Sequence, residues 1–152
     1  MLATFASGSE HFTMEPIRLM VVDIYHGDRV VSFARAKQAG IFGIIHKASE
    51  GAGMVDKSRL GRKAVLYSGA LIKEQLGDRV DPFFGSHRLW LAEYGPEPRV
   101  PRSWSQQWLW QYSGDGIGPE PRTVAGIPGA GGALDCNSYQ QSAADLAAQW
   151  AS

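Results

Sequence analysis

The chain has 152 residues with 44% hydrophobic and 20% charged content, enough for one domain with a real core. Fifteen basic residues balance fifteen acidic ones and are scattered, which argues against a nucleic-acid or anionic-membrane partner. Cys136 stands alone, so an intrachain disulfide is excluded, and no apolar run approaches the ~20 residues that cross a bilayer.

Residues 1–16 read as a flexible N-terminal extension, with Met14 as an alternative start, ahead of one domain over 17–152. The opening MLATFASGSEHFTMEPIRL lacks the basic and continuously apolar regions of a secretory signal. An apolar run from Ile17 to Val22, broken by Arg18, leads into Asp23 and resumes at Ile24. Ser32 can cap a helix over Phe33 to Ala39, and Gly40 can end it in the left-handed conformation. A second apolar run, Ile41 to Ile45, leads to Lys47 and Glu50. Strand, short helix and strand within about thirty residues make a βαβ unit with adjacent parallel strands.

After a charged, glycine-rich link, Ala64 to Tyr67 reads as a short strand closed by Ser68-Gly69. Ala70 to Leu76 reads as a helix stopped by Gly77, and Asp78 to His87 as a connection. Arg88 to Tyr94 and Gln107 to Tyr112 are aromatic, alternating strands separated by a proline-broken loop. Gly114 to Gly132 reads as a long surface loop and Ala133 to Asn137 as a last strand. Ser142 with Asp145 forms a capping box for a final helix whose Leu146 and Trp150 share a face.

Three acids stand out. Asp23 lies inside an apolar strand, so it either faces water and substrate at the strand's mouth or is paired structurally. Glu50, before two glycines, is either a site residue or a solvated partner of Lys47. Asp135, read at the end of the last strand, is either a third acid of that mouth or the start of an Asx-turn. In parallel α/β folds the C-terminal strand ends carry the chemistry. Adjacent strands lie ~4.8 Å apart, so in a closed barrel, where the last strand neighbours the first, these acids could fall ~5–9 Å from one another. Trp108 and Trp110 are expected on one strand face, with Tyr112 farther along it. Cys136 reads as a small buried apolar residue. His26 is either a partner of Asp23 or a structural histidine. No metal-ligand spacing, phosphate loop or nucleophile elbow is present.

The segments, in order, resemble the family-25 glycoside hydrolases, the Chalaropsis-type lysozymes. VVDIYHG at Asp23, AGIFGIIHKASEG at Lys47 and Glu50, VLYSG at Tyr67, LWLAEYG at Trp90 and Tyr94, QWLWQYSGDG at Trp110, Gln111 and Tyr112, and LDCNSY at Asp135 and Asn137 carry the likeness. The resemblance implies an α/β, TIM-barrel-like fold, incomplete here at about six strands instead of eight. It also implies a peptidoglycan muramidase acting without a cofactor or metal on the β-1,4 bond between N-acetylmuramic acid and N-acetylglucosamine. Asp23, Glu50 and Asp135 would be its catalytic acids, and Tyr67, Trp90, Tyr94, Trp110 and Tyr112 its sugar contacts. The partner implied is the peptidoglycan glycan strand, reached by release or delivery to the cell wall.

One departure is plain. Where the family carries a DxE motif with its strand and flanking helices, only Ala52 to Arg62 stand here, and a full barrel needs ~200 residues or more. The expectation is therefore weak or absent hydrolysis, in a cleft where water screens charge and raises no pKa. The alternative is a non-catalytic glycan-binding remnant or a deletion product. The Ala64 strand should either pair with the Ile41–Ile45 strand or leave both as open edges that favour self-association.

Overall fold

A computed structural model describes residues 19–24, 27–46 and 65–151. The extension, Tyr25, His26, Lys47 and Glu50 lie outside the described residues. The elements are β1 (Leu19–Ile24), α1 (Phe33–Gln38), β2 (Ile41–His46), β3 (Leu66–Ser68), α2 (Ala70–Leu76), α3 (Pro82–Gly85), β4 (Leu89–Ala92), β5 (Leu109–Ser113), β6 (Asp135–Tyr139) and α4 (Ala143–Ala151). The class is α/β: one mixed six-stranded sheet, ordered β2-β1-β6-β5-β4-β3, flanked by helices.

Local signals in the sequence account for most of these elements. The Ser32 hydroxyl accepts from Arg35 N–H at 3.2 Å, which starts α1, and Gly40 follows the helix at φ +86°. The β1 and β2 strands then pair in parallel as the βαβ pattern requires. Ser142 and Asp145 form the capping box: Asp145 N–H donates to the Ser142 hydroxyl at 3.1 Å and Ser142 N–H to the Asp145 carboxylate at 3.3 Å. The stretch expected as a plain connection contains α3, started by Asp81 accepting from Phe83 and Phe84 N–H with Pro82 at its first position.

The last strand departs from expectation. It begins at Asp135 rather than ending there, and it runs antiparallel to both β1 and β5. The β3 strand pairs with β4, in parallel, and not with β2. Among the described residues β2 and β3 are therefore the outer strands, at opposite ends of the sheet. Self-association through them remains a proposal.

One sheet face packs Val22, Ile24, Trp110, Tyr112 and Cys136 against Ala36 of α1 and against Val124, Ile127 and Leu134. The long Gly/Pro segment is thus not merely surface loop: Val124 and Ile127 of the segment, with Leu134 of its C-terminal flank, form the lid of this core. The lid is held by the Gly126 carbonyl, which accepts from Val31 N–H at 2.8 Å and Ser32 N–H at 3.1 Å. Gly126 sits at φ +90°, and a Cβ there would lie 2.5 Å from the Ser32 carbonyl oxygen. On the opposite face Val21, Leu109 and Tyr139 pack with Leu146 of α4, and Leu19, Ile45, Trp90 and Trp108 lean on them.

Gly126→Ala combines a positive φ with a backbone clash, so it should destabilise the fold by about 1–3 kcal/mol. A urea midpoint equal to that of the wild type would show that the lid does not depend on this close approach.

Candidate acidic site

The antiparallel pairing of β1 with β6 sets Asp23 directly opposite Asp135, and Val21 opposite Asn137. Directly opposed residues project to the same face. The β5–β6 register adds Gln111 opposite Asn137, and the parallel registers of β4 and β3 add Trp90 and then Tyr67. A polar row therefore crosses the sheet from Asp23 to Tyr67.

Hydrogen bonds knit this row. Asn137 Nδ2 donates to Asp23 Oδ2 at 2.8 Å, and Gln111 Nε2 reaches the same oxygen at 3.4 Å. Both amides are turned by a second donor behind them: Trp90 Nε1–H donates to Asn137 Oδ1 at 2.6 Å, and Tyr67 O–H donates to Gln111 Oε1 at 2.6 Å. An amide whose oxygen is taken must present its NH2, so the indole and the phenol aim two donors at one carboxylate. Asn137 and Gln111 are fully buried, whereas Tyr67 is 55% exposed and opens the row to solvent. The Tyr67 and Trp90 rings meet edge to face, with centroids 4.7 Å apart.

The two carboxyls interact directly. Burial is the largest influence on Asp23 and pushes its carboxyl up to about 7; the Asn137 bond works against this, and the neighbouring Asp135 charge and hydrogen bond add to the rise. Asp135 is also raised, by burial first and the Asp115 charge second, while its bond to Asp23 and to the Asp115 backbone oppose the rise. Of the two, Asp23 is the one whose protonated form donates toward Asp135. The expectation that no carboxyl would be raised here is overturned: Asp23 is enclosed by amides and aromatic rings, so water does not screen it. The β1–β6 register sets the two carboxyls side by side on one face of the sheet.

The Tyr94 hydroxyl and Asp135 Oδ1 crowd the same spot beside Gly114, where a Cβ would come within 2.2 and 2.8 Å of them. Burial first, then the Asp23 and Asp135 charges for Tyr67 and the Asp135 and Asp115 charges for Tyr94, push both phenols up to about 12. Both therefore remain O–H donors at neutral pH. Asp115, at φ 52° in the turn after β5, brings a further acid to this end of the sheet.

The structure brings together Asp23, Asp135, Tyr67, Trp90 and Tyr94. It does not bring Trp110 and Tyr112 to them. Trp110 is fully buried on the opposite face, its Nε1–H donating to the Glu93 carbonyl at 2.8 Å, and Tyr112 beside it donates to the Pro121 carbonyl at 2.9 Å. Their strand alternation was read correctly, but it carries them into the core and leaves Gln111 to face the acids. Trp108 precedes β5, packs with the other cluster, and does not share the Trp110 face. Asn137 and Gln111 join the site although the sequence expectation named only acids and aromatics. Their signal was polar amides inside otherwise apolar strands, where burial demands partners. Among the described residues no group of three or more His, Cys, Asp or Glu is arranged to hold a metal ion.

No protein-family model matches the chain, and no curated protein sequence matches it. Among solved structures, the bacterial lysozyme from Streptomyces coelicolor is similar at 28% identity and a TM-score of 0.47, over 60% of this chain and 39% of that one. This chain thus spans well under half of the lysozyme's length.

Because both carboxyls are raised, the stability they contribute is complete below the ordinary value of 3.8 and is lost as pH rises through about 7. Glu93 has the opposite sign: burial raises it, but hydrogen bonds from Lys73 and Arg99 outweigh burial and leave it low. Its contribution is therefore lost on the acid side. Asp23→Asn keeps a donor toward Asp135 and cannot ionise. The variant should match the wild type near pH 4 and exceed it at pH 8 by on the order of 1–3 kcal/mol. Thermal melts at the two pH values decide this, and a variant weaker than wild type at pH 8 contradicts the shared proton. Asn137→Ala should instead cost about 1–3 kcal/mol, since it leaves the Trp90 N–H and Asp23 without their partner.

Proposed function

We propose that this chain is a lysozyme-type glycoside hydrolase domain with an incomplete TIM-barrel-like sheet. It holds peptidoglycan glycan strands at the Asp23–Asp135 end and hydrolyses them far more slowly than an intact family member. The observation that supports the reading is the opposed pair Asp23 and Asp135, with burial pushing the Asp23 carboxyl up to about 7, in a row that ends in the exposed ring of Tyr67. A protonated carboxyl is what a glycosidic oxygen needs as general acid, and Tyr67, Trp90 and Tyr94 offer ring surface to a sugar.

The same pair limits the rate. Asp23 and Asp135 act as one proton-bearing unit, so neither stands apart to stabilise the oxocarbenium-like centre. Glu50, following β2 in the sequence, is the remaining candidate for that role, and Asp115 is a second. Substrate must also compete with Asp135 for the Asp23 proton. Loss of one positioned catalytic group typically costs ~10²–10⁴-fold.

Released reducing ends on purified peptidoglycan, measured beside an intact family-25 lysozyme at equal concentration, should appear at least about a hundredfold more slowly. Asp23→Asn should abolish what remains, while the chain still co-sediments with the insoluble glycan. Failure to co-sediment would remove the proposed partner. A rate within tenfold of the intact enzyme would show that the acid pair is a complete catalytic set.

A further inference from the structure

At the far end of the same strands lies a second concavity. It is a cavity of about 300 Å³ lined by His87, Arg88, Trp104, Gln107, Trp108 and Gln141, among others. Tyr139, also in its wall, is four residues along β6 from Asp135, so about 13 Å of extended strand separates it from the acid pair. Three of the resemblance motifs reach the wall, at Leu89, at Gln107 with Trp108, and at Tyr139, but the acid site does not use these side chains.

The chemistry of the wall narrows the ligand. The Trp104 indole, its N–H donated to the His87 carbonyl, supplies flat apolar surface, Trp108 and Tyr139 pack behind it, and the glutamines Gln106, Gln107, Gln140, Gln141 and Gln149 supply amides that both donate and accept. His87 and Gln107 are 5% and 7% exposed, so the wall contains polar groups built into the fold rather than solvated at its rim. Among the described residues no carboxylate lines the cavity, which disfavours a cation. Its guanidinium, on Arg88, lies 4.8 Å over the Trp108 ring and donates to the Gln149 carbonyl, so its charge is already engaged and an anion finds little to bind. Gln141 Oε1 accepts from the Tyr139 hydroxyl at 3.1 Å and from Gln149 Nε2 at 3.5 Å, which turns its NH2 outward with no acceptor among the described residues. A neutral ligand with an apolar face and paired donor–acceptor groups at its edge satisfies all of this, and the volume is at the small end of ligand sites.

We propose that this cavity is a second saccharide site, one that takes a neutral N-acetylated hexosamine unit by stacking on indole and bonding to glutamine amides. Its choice of sugar rests on the peptidoglycan reading; its neutral-saccharide character rests on the wall alone. Bound at both ends of the sheet, one chain contacts a glycan at two places, and affinity for polymer exceeds affinity for a short oligomer.

The test is a titration of the full chain with soluble tri-N-acetylchitotriose, followed by NMR of the indole N–H and glutamine NH2 signals. Saturable shifts are expected at Trp104, Trp108 and Gln141. Gln141→Ala and Trp104→Phe, which keeps an aromatic face, should each weaken that binding at least fivefold, while Asp23→Asn leaves it unchanged. Shifts confined to Trp90 and Tyr67 would overturn the second site while sparing the proposed function. Shifts at the cavity with an acidic tripeptide and none with the sugar would overturn it in favour of a peptide site. Absence of any shift with either probe would also overturn it.

Discussion

The structure depends on one strand running backwards. β6 enters antiparallel between β1 and β5, and among the described residues it is the only strand joining the N-terminal βαβ unit to the parallel trio β5-β4-β3. Were it parallel to β1, Asp135 would open its strand at the end of the sheet opposite Asp23. Running antiparallel, it brings a carboxyl from the start of one strand to a carboxyl near the end of another. It also sets Asn137 beside Gln111, so the donors that serve Asp23 come from the same pairing that creates the acid pair.

Two acids in this fold meet their burial in opposite ways. Glu93, at the end of β4, has Lys73 at 2.5 Å and Arg99 at 2.7 Å and is held ionised. Asp23 has amide donors and another carboxyl, with no cation paired to it among the bonds described, and its carboxyl is pushed up to about 7. Amide dipoles offset part of the cost of burying a charge but less than a full positive charge does, and a like charge alongside adds to the cost. The row from Tyr67 to Asp23 is consequently a set of oriented donors, each fixed by the one behind it. Loss of an outer member frees an inner amide to turn away.

The sheet carries different chemistry at its two ends. The Asp135 end concentrates negative charge and phenols, while the Tyr139 end is neutral, with indoles and amides around an arginine whose charge is already engaged. Both arise from the same alternation on one face of β5 and β6, whose middle residues are apolar or amide and whose ends reach solvent. The opposite face is closed by α1 and by the Gly/Pro segment, and it holds the aromatic pair Trp110 and Tyr112 in the core.

Elements with local causes were legible in the sequence. Ser32 and Gly40 bounded α1, Ser142 and Asp145 started α4, and the apolar runs around Asp23 and Gly43 defined the parallel pair, because caps and strand alternation act over a few residues. Asp81 ahead of Pro82 carried an equally local signal for α3 that a plain connection overlooked. Asp23, Asp135, Tyr67, Trp90 and Tyr94 were also legible as candidates, from acids and aromatics at strand ends. Only the tertiary structure decided which of them meet. Strand direction turned Asp135 toward Asp23, register chose Gln111 over Tyr112 to face them, and burial by residues distant in sequence raised both carboxyls. Those outcomes rest on long-range pairing, which no short stretch of sequence encodes.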